Sequence, residues 1–300
     1  MRPANAARTQ LLLAAVLFST GGAAIKATSL AGWQVACFRS GVAAVALLLL
    51  APGARRGWTW RTAVVGVSYA ATMILFVLAN KLTTSANTIF LQATAPLYIL
   101  ILGPLLLREK VHRRDLGFIL AMATGLVLFF VGNEAPAATA PDPVRGNIFA
   151  ALSGFCWALT VCGLRWLGSD ERHGSGIASA ASGNIIASLV ALPFALPVVD
   201  ATAVDWAVIG YLGVFQIALA YVFVTGAMRR VTALEASVLL LVEPALNPVW
   251  AWLVHGERPR SWALVGAAII FVATMYRTWR ESRRAAIGAE QPLAAGTGGG

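Results

Sequence analysis

The chain has 300 residues, of which 58% are hydrophobic and only 12% are charged. A soluble globular domain carries roughly 25% charged residues, so this composition excludes an ordinary soluble protein and indicates an integral membrane protein. The net charge of +10 would suit a protein that binds nucleic acid. The basic residues, however, lie mainly in short segments between apolar runs, so we expect no nucleic-acid partner.

Ten hydrophobic segments follow one another, and each is close to the ~20 residues that a helix needs to cross a bilayer. The alternation of apolar and polar residues that is typical of transmembrane strands does not occur in the sequence. The sequence therefore predicts an all-α integral membrane protein with ten transmembrane helices. The segments lie at about 9–27, 33–51, 60–80, 85–107, 114–132, 146–168, 174–198, 204–227, 233–254 and 260–278.

Lysine and arginine are distributed unevenly between the two sides that these segments define. With the N-terminus in the cytoplasm, 17 of the 23 basic residues fall on the cytoplasmic side, 5 fall on the opposite side, and Arg39 lies inside a segment. This bias predicts a bacterial inner-membrane protein with both termini in the cytoplasm. The first segment follows Arg2 and Arg8 as a signal peptide would, but its removal would destroy the duplication described next, so we expect it to be retained.

Two stretches of the chain, 84–110 and 232–258, align without gaps at an offset of 148 residues. Their shared threonine, proline and glutamate are separated by 12 and then 13 residues in both copies. This repeated spacing predicts that the chain consists of two halves with five helices each. The identical pairs are Thr84/Thr232, Leu91/Leu239, Pro96/Pro244, Leu105/Leu253 and Glu109/Glu257.

The predicted organisation is a first repeat (1–132), a Pro- and Ala-rich linker (133–145), a second repeat (146–278) and a disordered cytoplasmic tail (279–300). Because five is an odd number, the second repeat enters the membrane from the opposite side, and the two repeats are inverted. Inverted repeats are typical of secondary transporters, whose substrate site lies near the midplane between the halves. The sequence therefore predicts transport by alternating access.

Glu243 lies deep inside the ninth apolar segment and is followed directly by Pro244, which can bend the helix at that depth. An ionised carboxylate is costly to place inside a membrane, so we expect it to be paired, protonated or facing a water-filled cavity. Three roles are open for Glu243. It binds the ammonium group of a substrate, it carries a proton in a coupled cycle, or it is a structural group hydrogen-bonded to Asn247 or to an aromatic side chain.

Pro96 with LLLREKV downstream, and Pro244 with WLVHGER downstream, resemble the drug/metabolite transporter superfamily of the EamA type. The stretch FLQATAPLYILILGPLLLREKV is most similar to the bacterial aromatic amino acid exporters of the YddG type. This resemblance implies export of aromatic and other neutral amino acids. It also implies a central cavity lined by helices one to four and six to nine, with helices five and ten at the periphery.

Several polar and aromatic side chains lie deep enough in the predicted helices to contact a substrate. Trp157 is well inside its helix, and Tyr69 and Phe76 share one face of the third helix. Together with Glu243, the further candidates for substrate binding are Ser19, Gln92, Tyr98, Tyr221 and Asn247. Each candidate also has a structural interpretation, because polar and aromatic side chains serve helix packing in membranes.

Three further charges need an explanation. Arg39 binds a substrate carboxylate, pairs with Glu243 or contacts backbone carbonyls, and we favour a structural role because its head group can extend towards the interface. Glu109 and Glu257 lie at loop edges, and we expect each to organise its own turn. Their predicted partners are the nearby arginines, namely Arg113, Arg114 and Arg260.

These features favour export of aromatic and other neutral amino acids. They leave proton coupling open, and they are compatible with either a monomer or a homodimer. Export of cationic drugs or other metabolites is the alternative. A sugar-phosphate antiporter would need several basic residues in its cavity, and a channel would not show saturation. An intramembrane enzyme would need a nucleophile or metal constellation, which the sequence lacks, so we expect no enzymatic activity, no metal and no cofactor.

Overall fold

The computed structural model describes residues 3–106, 115–131, 136–168, 176–227, 230–231 and 233–290. Within these ranges the regular structure is helical, apart from one isolated bridge between Ala137 and Ala140. Many large apolar side chains point outwards, as expected for helices that contact lipid; Leu105, for example, is 76% exposed. The protein is therefore an all-α membrane protein.

The helices are numbered α1 to α14 in chain order. They are α1 (Pro3–Ser19), α2 (Gly21–Ala27), α3 (Gly32–Leu50), α4 (Trp60–Leu82), α5 (Ser85–Gln92), α6 (Ala95–Leu106), α7 (Leu116–Leu128), α8 (Pro143–Gly168), α9 (Gly176–Ala195), α10 (Ala203–Tyr211), α11 (Ala220–Ala227), α12 (Ala233–Leu240), α13 (Val242–His255) and α14 (Ser261–Glu290). A 3₁₀ turn (Pro52–Arg55) follows α3, and a π-helical segment (Leu212–Leu219) joins α10 to α11.

Nine stretches of helix in the described part of the chain are long and apolar enough to cross a membrane. The fifth predicted span corresponds to α7, whose 13 residues rise about 20 Å, against a hydrocarbon core of about 30 Å. The count of ten spans therefore stays a prediction. The loop residues Glu109, Arg113 and Arg114 lie outside the described residues.

The C-terminal tail differs from the prediction in its first part. The last helix, α14, continues to Glu290, so residues 279–290 extend this helix instead of forming a disordered segment. Apolar residues end near position 276, and charged residues such as Arg280 continue the helix. Arginine and alanine are good helix formers, which favours continuation of the helix. Residues 291–300 lie outside the described part.

Three of the membrane-spanning stretches are interrupted within their length. The breaks fall at Thr20, between α1 and α2; at Ala93 and Thr94, between α5 and α6; and at Leu241, between α12 and α13. Pro96 and Pro244 lie in the first turn of the helix after the break, where a missing N–H costs no hydrogen bond. The bend predicted beside Glu243 is thus a break in the helix.

The break at Leu241 follows the one that begins at Ala93 by the same 148 residues that relate the two copies in the sequence. Discontinuous helices near the midplane of a transporter leave backbone and side-chain polar groups available to a bound solute. These breaks therefore mark the depth at which a site is expected.

Packing between the helices follows a regular scheme. Helix α4 packs against α8, and α1 packs against α11; α5 and α6 pack against α8, and α12 and α13 pack against α1. Helix α3 contacts α9, and α7 contacts α14. The bundle therefore has α3, α4, α8 and α9 packed together, while α7 and α14 form a pair.

The contact between α4 and α9 depends on small residues. A Cβ atom added to Gly183 would lie 2.9 Å from the carbonyl oxygen of Gly66, which is too close for any side chain. The hydroxyl of Ser182 donates hydrogen bonds to the carbonyls of Thr62 and Ser179, at 3.2 and 3.0 Å. These small residues of α9 therefore serve close helix packing, as small residues commonly do in membranes.

Gly183→Val is expected to lower the midpoint temperature of unfolding in detergent, because overpacking a tight contact costs about 1–3 kcal/mol. Gly210→Val is the matched control, since nothing lies within 4 Å of the position that its Cβ would occupy. Both changes place the same β-branched side chain in a helix. Equal midpoints for the two variants would contradict the close α4–α9 contact.

Candidate functional site

A cavity of about 120 Å³ lies at the level of the helix breaks. Gln92 is the last residue of α5, and Glu243 is the second residue of α13, so both line the cavity beside a break. The residues that line it are Phe18, Arg39, Tyr69, Thr72, Met73, Phe76, Gln92, Trp157, Gln216, Ile217, Tyr221 and Glu243. They come from both halves of the chain, and none comes from α7, α9 or α14.

A larger space of about 620 Å³ lies elsewhere, between α7 and α14. Apolar side chains form most of it, and the side chains of Val272 and Tyr276 there are 62% and 57% exposed. It is therefore a groove on the outer surface of the bundle. The smaller central cavity combines enclosure, opposite charges and aromatic rings, so we assign the candidate site to it.

Two opposite charges line the central cavity. The side chain of Arg39 is buried, with 2% exposure, whereas Glu243 is partly exposed to the cavity. Among the described residues there is no ion pair between them. The Arg39 guanidinium donates through Nη2 to the sulfur of Met73 at 3.6 Å, and its Nε and Nη1 atoms have no hydrogen-bond partner.

Aromatic rings form a large part of the cavity wall. The ring of Tyr221 meets those of Phe18 and Tyr69 edge to face, with centroids 5.5 and 5.9 Å apart. Phe76 and Trp157 complete the aromatic lining. Gln92 is held in place because its amide donates to the hydroxyl of Ser153 at 2.9 Å. The wall therefore offers apolar faces with a few fixed polar groups.

Six of the nine predicted site residues meet at this cavity: Glu243, Trp157, Gln92, Tyr69, Phe76 and Tyr221. Tyr98 does not line it, because its ring packs edge to face on Phe155 at 5.7 Å. Ser19 does not line it either, because its hydroxyl donates to Val16 and accepts a hydrogen bond from the indole of Trp250 at 2.9 Å.

Asn247 is the third predicted residue outside the cavity. It lies one turn beyond Glu243 on α13 and is fully buried, and within the described part of the chain neither its Nδ2 nor its Oδ1 atom has a hydrogen-bond partner. A Cβ atom added to Gly22 would lie 3.0 Å from the Asn247 amide oxygen and 2.8 Å from the hydroxyl of Ser85. Asn247 is therefore part of a second buried polar region that begins beyond the cavity.

The sequence interpretation missed the cavity role of Gln216 and Ile217. Tyr211 lies outside the cavity, just before the π-helical segment, and its hydroxyl hydrogen bonds to that of Thr20 at 2.8 Å. The head group of Arg39 does not extend towards the interface as expected, since its side chain is buried and lines the cavity.

A cluster of buried polar residues lies at the ends of α2, α4, α5 and α13; we call it the Lys26 cluster (Lys26, Lys81, Ser85 and Glu257, with the Thr28, Thr83 and Thr139 carbonyls). The ammonium of Lys26 lies 2.7 Å from Glu257 Oε1, and the two side chains are 5% and 2% exposed. The two groups form a salt bridge, but their angles do not meet the geometry of a hydrogen bond. Lys26 also donates to the Thr83 carbonyl at 2.7 Å and to that of Thr139.

Glu257 joins two parts of the chain in this cluster. Its Oε2 atom accepts a hydrogen bond from the backbone N–H of Ser85, the first residue of α5, at 2.9 Å. Lys81 donates to the carbonyl of Thr28 at 2.8 Å. The prediction that Glu257 organises its own turn with Arg260 is therefore wrong, because its partners come from α2 and α5 in the other half of the sequence.

A bundle of apolar helices, several of them broken around a cavity with charged and aromatic walls, is typical of a multi-span membrane transporter. Sequence comparison agrees with this class. The EamA-like transporter family matches residues 8–131 and again residues 144–278. The chain belongs to this family, within the drug/metabolite transporter superfamily.

Characterised relatives are exporters of small molecules. The threonine/homoserine exporter RhtA of Escherichia coli is 25% identical over 218 residues, which cover 71% of this chain and 69% of RhtA. The pseudopaline exporter CntI of Pseudomonas aeruginosa is 25% identical over 274 residues, which cover 87% of this chain and 92% of CntI. An uncharacterised transporter of Clostridium kluyveri is also 25% identical, over 220 residues.

A solved crystal structure superposes on this chain with a TM-score of 0.60. The match covers 93% of this chain and 98% of the other, at 18% sequence identity. At this identity the likeness shows a common fold and carries no information on the substrate.

Proposed function

We propose that this protein is a secondary transporter that exports neutral amino acids across a bacterial cytoplasmic membrane by alternating access. The observation that carries the proposal is the enclosed cavity at the helix breaks, where Glu243 lies among aromatic rings and amide groups. A carboxylate at this depth is expected to have a function. The names of the relatives RhtA and CntI, both exporters, support the direction of transport and a small organic solute.

The two halves are proposed to be inverted repeats, 1–132 and 146–278. Exchanging spans one to five with spans six to ten converts the α4–α8 contact into the α1–α11 contact, and it leaves the α3–α9 and α7–α14 contacts unchanged. The separate family matches to 8–131 and 144–278 support the same division. Rocking of one repeat against the other would then expose the central cavity to each side in turn.

Glu243 is proposed to bind the ammonium group of the substrate. It is the one acidic side chain among the described residues that line the cavity. An ammonium group has three hydrogen-bond donors and a full charge, so a carboxylate is its natural partner in a site with little water. If Glu243 instead carried a proton, net transport driven by a pH gradient would depend on it and exchange would not.

The dimensions of the cavity favour a compact neutral side chain such as that of threonine. Its volume of about 120 Å³ is below the ~300–1,000 Å³ of typical ligand pockets, so a bulky solute would require the walls to separate. Aromatic amino acids are a second candidate, because five rings line the cavity and could stack on a substrate ring. The five are Phe18, Tyr69, Phe76, Trp157 and Tyr221.

The Lys26 cluster is proposed to be the outer gate. The excess of basic residues at the other end of the bundle supports a periplasmic location for this end. Asn247 is buried between the cavity and the Ser85 hydroxyl of the cluster, and neither group has a hydrogen-bond partner among the described residues. Water or a polar solute would satisfy these groups on its way out, because unpaired buried polar groups are costly.

Counterflow in proteoliposomes tests the proposed function. Vesicles loaded with unlabelled L-threonine are expected to take up labelled L-threonine transiently. Unlabelled L-threonine added outside should compete with this uptake until the carrier is saturated, because a carrier exchanges solutes through one site. L-tryptophan tests the second candidate, and tetraphenylphosphonium tests export of cationic drugs. Uptake that rises without saturation would indicate a channel.

Protein-free vesicles and vesicles containing monodisperse, inserted protein are compared in each case. Counterflow of neither amino acid by folded protein would refute the proposed function. Saturable exchange of tetraphenylphosphonium alone would replace it with export of organic cations.

A further inference from the structure

The guanidinium group of Arg39 has no role in the function proposed so far. It lies about two turns into α3, is almost fully buried, and faces the central cavity. Among the described residues, its one hydrogen-bond acceptor is the sulfur of Met73, which is a weak acceptor. The N–H groups of Nε and Nη1 have no acceptor in the same part of the chain. An arginine held in this way is ready to receive an anion.

A buried charge without a partner is costly, and arginine cannot relieve the cost by losing its proton. Water molecules in a cavity of this size, taking the place of a charged partner, would satisfy the guanidinium charge only in part. Fixed, unsatisfied donors beside a cavity are therefore most economically explained by a ligand that supplies the acceptors. The guanidinium fork matches the geometry of a carboxylate.

The second charge in the cavity limits what this anion is. Glu243 lines the same space and forms no ion pair with Arg39 among the described residues. A simple anion would satisfy Arg39 but be repelled by Glu243. A simple cation would satisfy Glu243 but be repelled by Arg39. A solute that carries both charges a short distance apart would satisfy the two side chains together.

We propose that Arg39 binds the carboxylate of the substrate while Glu243 binds its ammonium group, so that the cavity recognises an α-amino acid by its two charged ends. This inference rests on the proposed function and adds to it a physical reason for the class of substrate. Side-chain identity is then read by the aromatic and amide walls. Amines without a carboxylate are poor substrates, because they leave Arg39 unsatisfied.

Competition in the counterflow assay tests this inference on the wild-type protein. L-threonine is compared with its methyl ester and with 1-amino-2-propanol, which lacks the carboxylate; L-tryptophan is compared with its methyl ester and with tryptamine. The free amino acids are expected to compete at concentrations roughly 30-fold or more below those of the esters and amines, as expected for loss of one partner of a buried charge pair. Equal competition by acids, esters and amines would overturn the inference.

Arg39→Met keeps a long side chain in the cavity but removes the charge, and it is expected to abolish the preference for the carboxylate. Arg39→Lys is the second variant; it keeps the charge, loses the planar fork and should retain a reduced preference. Arg61→Met is the matched control, because Arg61 lies over the Trp60 and Trp166 rings, outside the cavity. Each variant is first checked for a single species in detergent and for its unfolding midpoint.

The outcomes separate the inference from the proposed function. Absence of amino acid counterflow in wild type refutes the function, and the inference with it. Counterflow by wild type with an undiminished carboxylate preference in Arg39→Met refutes the inference alone. If Arg39→Met does not fold, the wild-type analogue series and Arg39→Lys decide the question, and an unchanged preference in Arg39→Lys counts against the inference.

Discussion

Glu243→Gln is expected to lower the initial rate of amino acid counterflow by about tenfold or more. Hydrogen bonds to charged groups contribute about 1.5–3 kcal/mol, and each 1.4 kcal/mol is a tenfold change in affinity. Glutamine has nearly the same shape as glutamate, so the change removes the charge with little effect on packing. The measurement is counterflow of L-threonine and of L-tryptophan in proteoliposomes with equal amounts of inserted protein.

A second readout separates the two functional roles of Glu243. If it is a ligand for the substrate ammonium group, Glu243→Gln impairs both exchange and uphill export driven by a pH gradient. If it carries the coupling proton, exchange survives and only the gradient-driven export is lost, because exchange needs no net proton movement. Asp200→Asn is the control; Asp200 is exposed at a turn with φ of 61°, a conformation that asparagine tolerates. Normal exchange and normal export in Glu243→Gln would assign it a structural role.

Glu257→Gln is expected to open the outer end of the bundle. The change leaves the buried ammonium of Lys26 without its counter-charge, and breaking one partner of a buried pair costs about 3–5 kcal/mol. Because the cost falls on the closed state, the population should move towards the state in which the Lys26 cluster is separated. Transport should fall as well, because alternating access requires each end to close in turn.

Labelling of a cysteine behind the gate measures this shift. Asn247→Cys is placed in a background with Cys37→Ala, Cys156→Ala and Cys162→Ala, and a membrane-impermeant maleimide is added from the periplasmic side. Asn247 is fully buried in the structure, so labelling should be slow with Glu257 present and about tenfold or more faster with Glu257→Gln. Asp200→Asn is again the control at the same end. A lower unfolding midpoint with unchanged labelling would show that the cluster stabilises the fold without gating.

Much of the fold was predictable because hydrophobic segments of membrane length are a strong signal in any sequence. The positions of the helices agree with prediction to within a few residues, and the proline at position 244 correctly indicated a broken helix beside Glu243. α7 and α14 are the exceptions. The described helix α7 is shorter than its apolar segment, and α14 runs beyond the apolar residues because helix propensity continues after hydrophobicity ends.

The cavity was predicted in part, and the errors have physical causes. Periodicity correctly placed Tyr69 and Phe76 on one face because α4 is a regular helix. Gln216 and Ile217 were not predicted, because they lie in the π-helical segment, whose wider turns depart from the period of a regular helix. Tyr98 and Ser19 have side chains of a type that binds substrates, but they contact side chains of neighbouring helices instead.

The amino-acid sequence alone determined that this is a helical membrane protein with a duplicated pattern and a costly acid at mid-depth, because these features depend on local hydrophobicity and on internal comparison. Tertiary structure decided that Arg39 faces the cavity near Glu243 and that Glu257 pairs with Lys26. Residues 39 and 243, like residues 26 and 257, are more than 200 positions apart. Such partners are selected by how whole helices pack, which depends on the summed fit of many side chains, and no short stretch of sequence records it.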